Sequence, residues 1–152
     1  MSSSVELKKA LAKDAAELAE ASKQAFHSDI ECGAPGLGGP PGYDSPRWHA
    51  KMMRMGNYYK ILVDRQMAGG VIIFRQAPRE YQLGMMFIDP VFQGRGIGTR
   101  VFGLIWELFP LAKRWTLDTP VWNTRTRHFY KKVGFVEVGV EGDQVNFERV
   151  IT

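Results

Sequence analysis

The 152 residues, 45% hydrophobic and 24% charged, fit one globular domain spanning 1–152 and exclude a disordered chain. No apolar stretch approaches the ~20 residues that span a bilayer. The opening MSSSVELKK lacks the apolar run of a secretory signal, so a cytoplasmic location is expected. The formal charge of +4 is uneven: residues 1–46 hold four Lys/Arg against seven Asp/Glu, the remainder sixteen against nine. A basic body suits an anionic ligand, but the charges are scattered and also read as ordinary solvated faces.

Val5–Leu11 alternates roughly with period two and predicts a strand. Asp14 followed by Glu17 has the form of a capping box and predicts a helix to about Phe26. Residues 33–42, GAPGLGGPPG, hold five Gly and three Pro and predict an irregular loop. Ser45-Pro46 pairs an N-cap with proline at the first helical position, and Gly56 supplies the stop. Trp48, Met52 and Met55 between them fall at helical spacing and predict a core stripe. Tyr58–Val63 and Met67–Phe74 read as strands of a hairpin turning at Asp64-Arg65-Gln66. Glu80–Ile88 is a further strand, in which Gly84 marks a bulge or a close backbone approach.

Thr99–Phe109 predicts a helix ended by Pro110, and Arg114–Asp118 a short strand. Asn123 caps a helix to Lys132, which Gly134 ends. Phe135–Val140 and Gln144–Ile151 close the chain as a hairpin around Glu141-Gly142-Asp143. The fold class that follows is α/β, a mixed sheet flanked by helices, without internal repeats.

Met86 to Thr99 is the most informative stretch. A strand ends at Asp89-Pro90, a glycine-rich turn follows, and a helix begins almost at once. Main-chain N–H groups converge freely there, and the helix adds positive partial charge, so the place suits a phosphate. A plain strand-to-helix turn fits the same glycines. The P-loop is excluded because no Gly-Lys-Ser/Thr follows, and the dinucleotide fingerprint fails because Val101 stands where a third glycine belongs.

The pattern of strand, Asp-Pro, Gln93-x-x-Gly96-x-Gly98 and amphipathic helix resembles the acyl-CoA signature of the GNAT superfamily of N-acyltransferases. Its second half is present as Asn123 followed by Phe129-Tyr130-Lys131-Lys132-Val133-Gly134-Phe135. The resemblance covers residues 58–138 well and the N-terminal part in element order. It implies transfer of an acetyl group from acetyl-CoA, as co-substrate, to a primary amine on a small molecule or peptide. Main-chain groups of Met86, Phe87 and Ile88 would pair with the pantetheine arm. N–H groups of Gly94, Arg95, Gly96, Ile97, Gly98 and Thr99 would cradle the pyrophosphate, with Gln93 shaping the loop. Asn123 would bond the cofactor near its thiol end, and Tyr130 would protonate the departing thiolate. The seven-position spacing of Asn123 and Tyr130 sets both on one helical face, and a phenol neutral at pH 7 is a suitable donor.

Asp118, a Glu80 across the open end of the sheet, or water would accept the amine's proton. Asp29, Glu31 and Asp44, flanking the 33–42 loop, would draw a cationic acceptor. A homodimer through the terminal hairpin is expected, and a cofactor sensor without catalysis is the alternative.

His27, His49 and His128 stand apart and show no metal-ligand spacing, so no metal is expected. Cys32, the single cysteine, reads as a small buried residue or a bystander. Trp48, Trp106, Trp115 and Trp122 read as core. With no dense basic run, neither nucleic acid nor membrane is an expected partner.

Overall fold

The computed structural model describes residues 3–151, and the outermost positions of the expected 1–152 domain lie outside them. Its strands are β1 Val5–Lys9, β2 Asn57–Val63, β3 Gln66–Ala77, β4 Glu80–Ile88, β5 Arg114–Pro120, β6 Val136–Glu141 and β7 Gln144–Val150. They form one sheet in the order β1-β2-β3-β4-β5-β7-β6, antiparallel throughout except for the parallel pair β4–β5. The helices α1 Ala15–His27 and α2 Pro46–Met55 cover one face, α3 Ile97–Leu108 and α4 Thr124–Lys132 the other. This is the mixed α/β architecture expected.

Local chemistry sets most boundaries. Asp64 and Arg65 take φ of 49° and 70°, which gives β2–β3 a tight two-residue turn closed by Val63 opposite Gln66. Ser45 Oγ accepts the Trp48 N–H at 3.1 Å, and Pro46 opens α2 without sacrificing a helical donor. Asp14 departs from its expected role. A 3-10 turn, Ala12–Asp14, precedes α1, so Asp14 is already helical and its carboxylate turns back to the Leu11 N–H at 2.9 Å and Lys60 Nζ at 3.1 Å.

On the α3/α4 face, Val101, Phe102 and Ile105 pack over Val71, Ile73, Trp115, Leu117 and Phe147. Trp115 is fully buried there, and the gain from taking its ring out of water is offset by an indole N–H that has no hydrogen-bond partner among the described residues. On the other face Leu18, Ala21 and Ala25 of α1 lie on Tyr58, Ile72, Met85 and Phe87. Trp48 and Met52 join this core, but Met55, the last residue of α2, is 64% exposed.

Gly84 positions the site. Ile72 pairs with Met85 and Ile73 with Leu83, leaving Gly84 as an extra residue in β4. A Cβ there would lie 2.3 Å from the Phe74 ring, so the bulge also needs the missing side chain. The parallel ladder between β4 and β5 is confined to Glu80–Gln82 against Arg114–Thr116. Beyond it the two strands part, and the sheet opens as a cleft.

Candidate active site

The parting of β4 from β5 leaves one edge of Leu83–Ile88 without a strand partner, since β3 takes only the other edge. Alternate N–H and C=O groups of Met86, Phe87 and Ile88 therefore face an open channel. That channel belongs to a cavity of about 1300 Å³ running across the sheet. Its walls are the end of β4, the 93–99 loop, Leu117–Pro120 of β5, the first turns of α4 and the 34–41 segment.

The 93–99 loop joins left-handed glycines to a helix start that no side chain caps. Gly94 and Gly96 have φ of 78° and 72°, conformations that side chains rarely adopt, and a Cβ on either would meet nothing within 4 Å. Gly96 is the N-cap of α3, which starts two residues before the expected Thr99. No side chain caps this helix, so the N–H groups of Ile97, Gly98 and Thr99 remain free at its positive end. Gly98 permits the approach of α4, for a Cβ there would lie 2.9 Å from the Phe129 ring. Gln93 donates to the Ile88 carbonyl at 2.9 Å and so ties the loop to the strand end. These features fit a pantetheine arm along β4 and a pyrophosphate over the loop.

Asn123 is 2% exposed and caps α4, its Oδ1 accepting the Thr126 N–H at 3.1 Å. Tyr130, two turns on, is 8% exposed and packs edge-on against Phe102 and Phe135, yet still lines the cavity. Burial first, then the nearby negative charge of Asp29, pushes its phenol well above the usual range and keeps it protonated. Asp29 is held by Asn123 and by Arg125 Nη2 at 3.4 Å, and burial raises its pKa.

Met86, Phe87, Ile88, Gln93, Gly94, Gly96, Ile97, Gly98, Thr99, Asp118, Asn123 and Tyr130 all line this one cavity. Arg95 does not: its guanidinium turns outward over the Phe92 ring, 5.5 Å from the centroid. Asp118 is exposed at the open end of β5, and burial, then the charge of Glu141, raises its pKa. Glu80 is not across the open end. It sits in the closed ladder, 3.3 Å from Arg114, and takes no part in the cavity.

Of the three acidic residues flanking the glycine-proline loop, Asp29 alone reaches the cavity. Trp122 lines the cavity rather than joining the core formed by Trp106 and Trp115. Arg125 was not legible in sequence, since its contacts with Gln93 at 3.2 Å and with Asp29 exist only in the folded chain. His49 is buried between the Tyr58 hydroxyl at 2.6 Å and the Tyr43 carbonyl at 2.8 Å, and burial lowers its pKa. That satisfies both ring nitrogens, so His49 is a structural histidine.

Comparison with known proteins bears on the family and the fold. The acetyltransferase (GNAT) family matches residues 23–135, most of the chain. PaiA N-acetyltransferase from Thermoplasma acidophilum, solved in complex with coenzyme A, superposes with a TM-score of 0.84 at 15% identity, covering 97% of this chain and 99% of that one. An acetyltransferase from Thermus thermophilus gives 0.81 at 18% identity, with 97% of each chain covered. A chimera of spermidine N-acetyltransferase SpeG from Vibrio cholerae and hSSAT gives 0.74 at 14%, covering 96% and 95%. No curated protein matches the sequence.

Proposed function

Because the chain belongs to the acetyltransferase (GNAT) family, we propose that it transfers the acetyl group of acetyl-CoA to a cationic primary amine by direct attack. The observation that carries this reading is the single cavity joining an uncapped helix start, an unpaired strand edge and a buried, protonated tyrosine. Acetyl-CoA supplies the thioester, whose C–S bond breaks as a C–N bond forms.

The residues divide the remaining work. Main-chain groups of Met86, Phe87 and Ile88 hold the pantetheine arm, and the N–H groups of the 94–99 loop hold the pyrophosphate. Asn123 orients the thiol end. Tyr130 delivers its hydroxyl proton to the departing sulfur and recovers a proton from the new amide nitrogen, so no net charge is left on the buried ring. Asp118 takes the proton of the incoming ammonium through a water, because the side chain is short and stands at the exposed end of β5.

The test of the activity is acetyl-CoA incubated with a panel of amines: spermidine, an aminoglycoside, lysine and a peptide with a free N-terminus. Thiol release coupled to a product heavier by one acetyl group is the expected result. Tight coenzyme A binding with no acetylated product from any of them would favour the sensor reading instead.

Asp118→Asn tests the base. An acid whose pKa is raised must lose its proton at a correspondingly higher pH before it can act, so the rate should climb as pH rises through that value. The variant should be slower and should lose this acidic limb. A limb that persists unchanged assigns the proton to another group.

A homodimer is part of the same proposal. Val136, Val138 and Val140 of the edge strand β6 are 63%, 58% and 64% exposed, an edge that a second copy can cover. Light scattering should give twice the 17.2 kDa chain mass, and a monomer at micromolar concentration would reject the dimer.

A further inference from the structure

Asp29 and Arg125 are 96 residues apart and come from elements on opposite faces of the sheet. Asp29 lies in the 3-10 turn that follows α1, and Arg125 in the first turn of α4. They meet at the open end of the cleft, where both line the cavity. The guanidinium spans two partners there. One arm donates to Gln93 Oε1 at 3.2 Å, at the start of the anion loop, and the other to Asp29 Oδ1 at 3.4 Å, on the acceptor side.

The exposures of the pair are unequal. The Arg125 side chain is 44% exposed, whereas that of Asp29 is 13% exposed. An arginine that is half in water and makes two long bonds is weakly held. A phosphate group offers it a stronger, bidentate partner of higher charge. Asp29 behaves differently: partly buried beside Asn123 and Tyr130, it is stabilised as a carboxylate by a neighbouring cation.

We propose that Arg125 is shared between Asp29 and the cofactor's phosphates, so that cofactor binding draws the guanidinium away and opens Asp29 to the acceptor's ammonium group. The amine then takes the place of the guanidinium, beside Tyr130 and in line with the thioester end of the channel. Cofactor binding thereby favours acceptor binding, and the coupling between the two sites is reciprocal. This inference rests on the acyl-CoA reading of the site.

The test needs no acceptor. Coenzyme A affinity is measured by calorimetry for the wild type, Asp29→Asn, Arg125→Ala and the double variant, with Arg125→Lys as a charge-preserving form. Asp29→Asn removes the competitor for the guanidinium and should tighten coenzyme A binding about three- to tenfold. Arg125→Ala should weaken it, Arg125→Lys less so, and in the Arg125→Ala background Asp29→Asn should change nothing. Pantetheine, which lacks the phosphates, should bind all the forms alike.

Asp143→Asn, a change to another cavity carboxylate, controls for general charge. An unchanged affinity in Asp29→Asn, the same gain with alanine at position 125, or an equal gain from Asp143→Asn overturns the sharing while leaving the cofactor site intact. A wild type that does not bind coenzyme A overturns the acyl-CoA reading itself.

Discussion

Tyr130→Phe is expected to lower kcat by about 10²–10⁴-fold while leaving the affinity for acetyl-CoA within twofold. That loss corresponds to about 3–5 kcal/mol of barrier, the contribution of a positioned proton donor. On the proposed mechanism the departing thiolate forms next to this ring, which is 8% exposed. Burial and the Asp29 charge keep the phenol protonated across the working pH range, so a donor is always present.

Tyr130 lines the cavity, and its hydroxyl takes no hydrogen-bond partner among the described residues. Its removal therefore strands no buried group, and the fold should keep its stability to within about 1 kcal/mol. The packing of the ring against Phe102, Phe135 and Phe147 is retained in phenylalanine. A loss confined to kcat is the signature of an interaction made only in the transition state. Pre-steady-state thiol release should slow with it. A variant that turns over normally would leave Tyr130 as a packing residue.

The features that sequence revealed are those written within a few residues. Asn123 reads as a cap because its partner is three positions on, and the structure places its Oδ1 on Thr126. Gly84 reads as a bulge because nothing else interrupts an apolar strand. The strand end, glycine turn and helix start around 93–99 read in order because they are contiguous.

Sequence misleads where distant contacts decide. Asp14 followed by Glu17 satisfies a local rule, but Lys60 of β2 and the Leu11 N–H claim the carboxylate. Sequence order sets Glu80 at the open end, and only the parallel register with Arg114 shows that this end of β4 is the closed one. Met55 has helical spacing from Met52, yet at the last position of α2 it lies beyond the packed core and is exposed. For Asp29 the sequence supports only a general expectation of negative charge near the acceptor. Its particular place beside Asn123 and Tyr130 depends on the turn after α1 meeting the start of α4 at the open end of the cleft, which no local pattern encodes.

Gly96→Glu is expected to reduce acetyl-CoA affinity by at least about a hundredfold, equivalent to ~2.7 kcal/mol, with the fold preserved. Three effects act in the same direction. Gly96 has φ of 72°, so any other side chain adds strain, about 1–3 kcal/mol for most residues. The new side chain projects into the open space above the loop, where a Cβ would meet nothing within 4 Å and where the pyrophosphate is proposed to lie. Its carboxylate then sits at the helix start among the free N–H groups of Ile97, Gly98 and Thr99, taking the donors meant for a phosphate. Because the site is open to solvent, the charge costs the folded chain little, and circular dichroism should be unchanged. Gly96→Asn separates these effects, since asparagine tolerates left-handed backbone and brings no charge. It should bind acetyl-CoA only a few-fold more weakly than the wild type. Calorimetry on the three proteins decides the matter: if Gly96→Glu binds as tightly as the wild type, the loop does not hold the pyrophosphate.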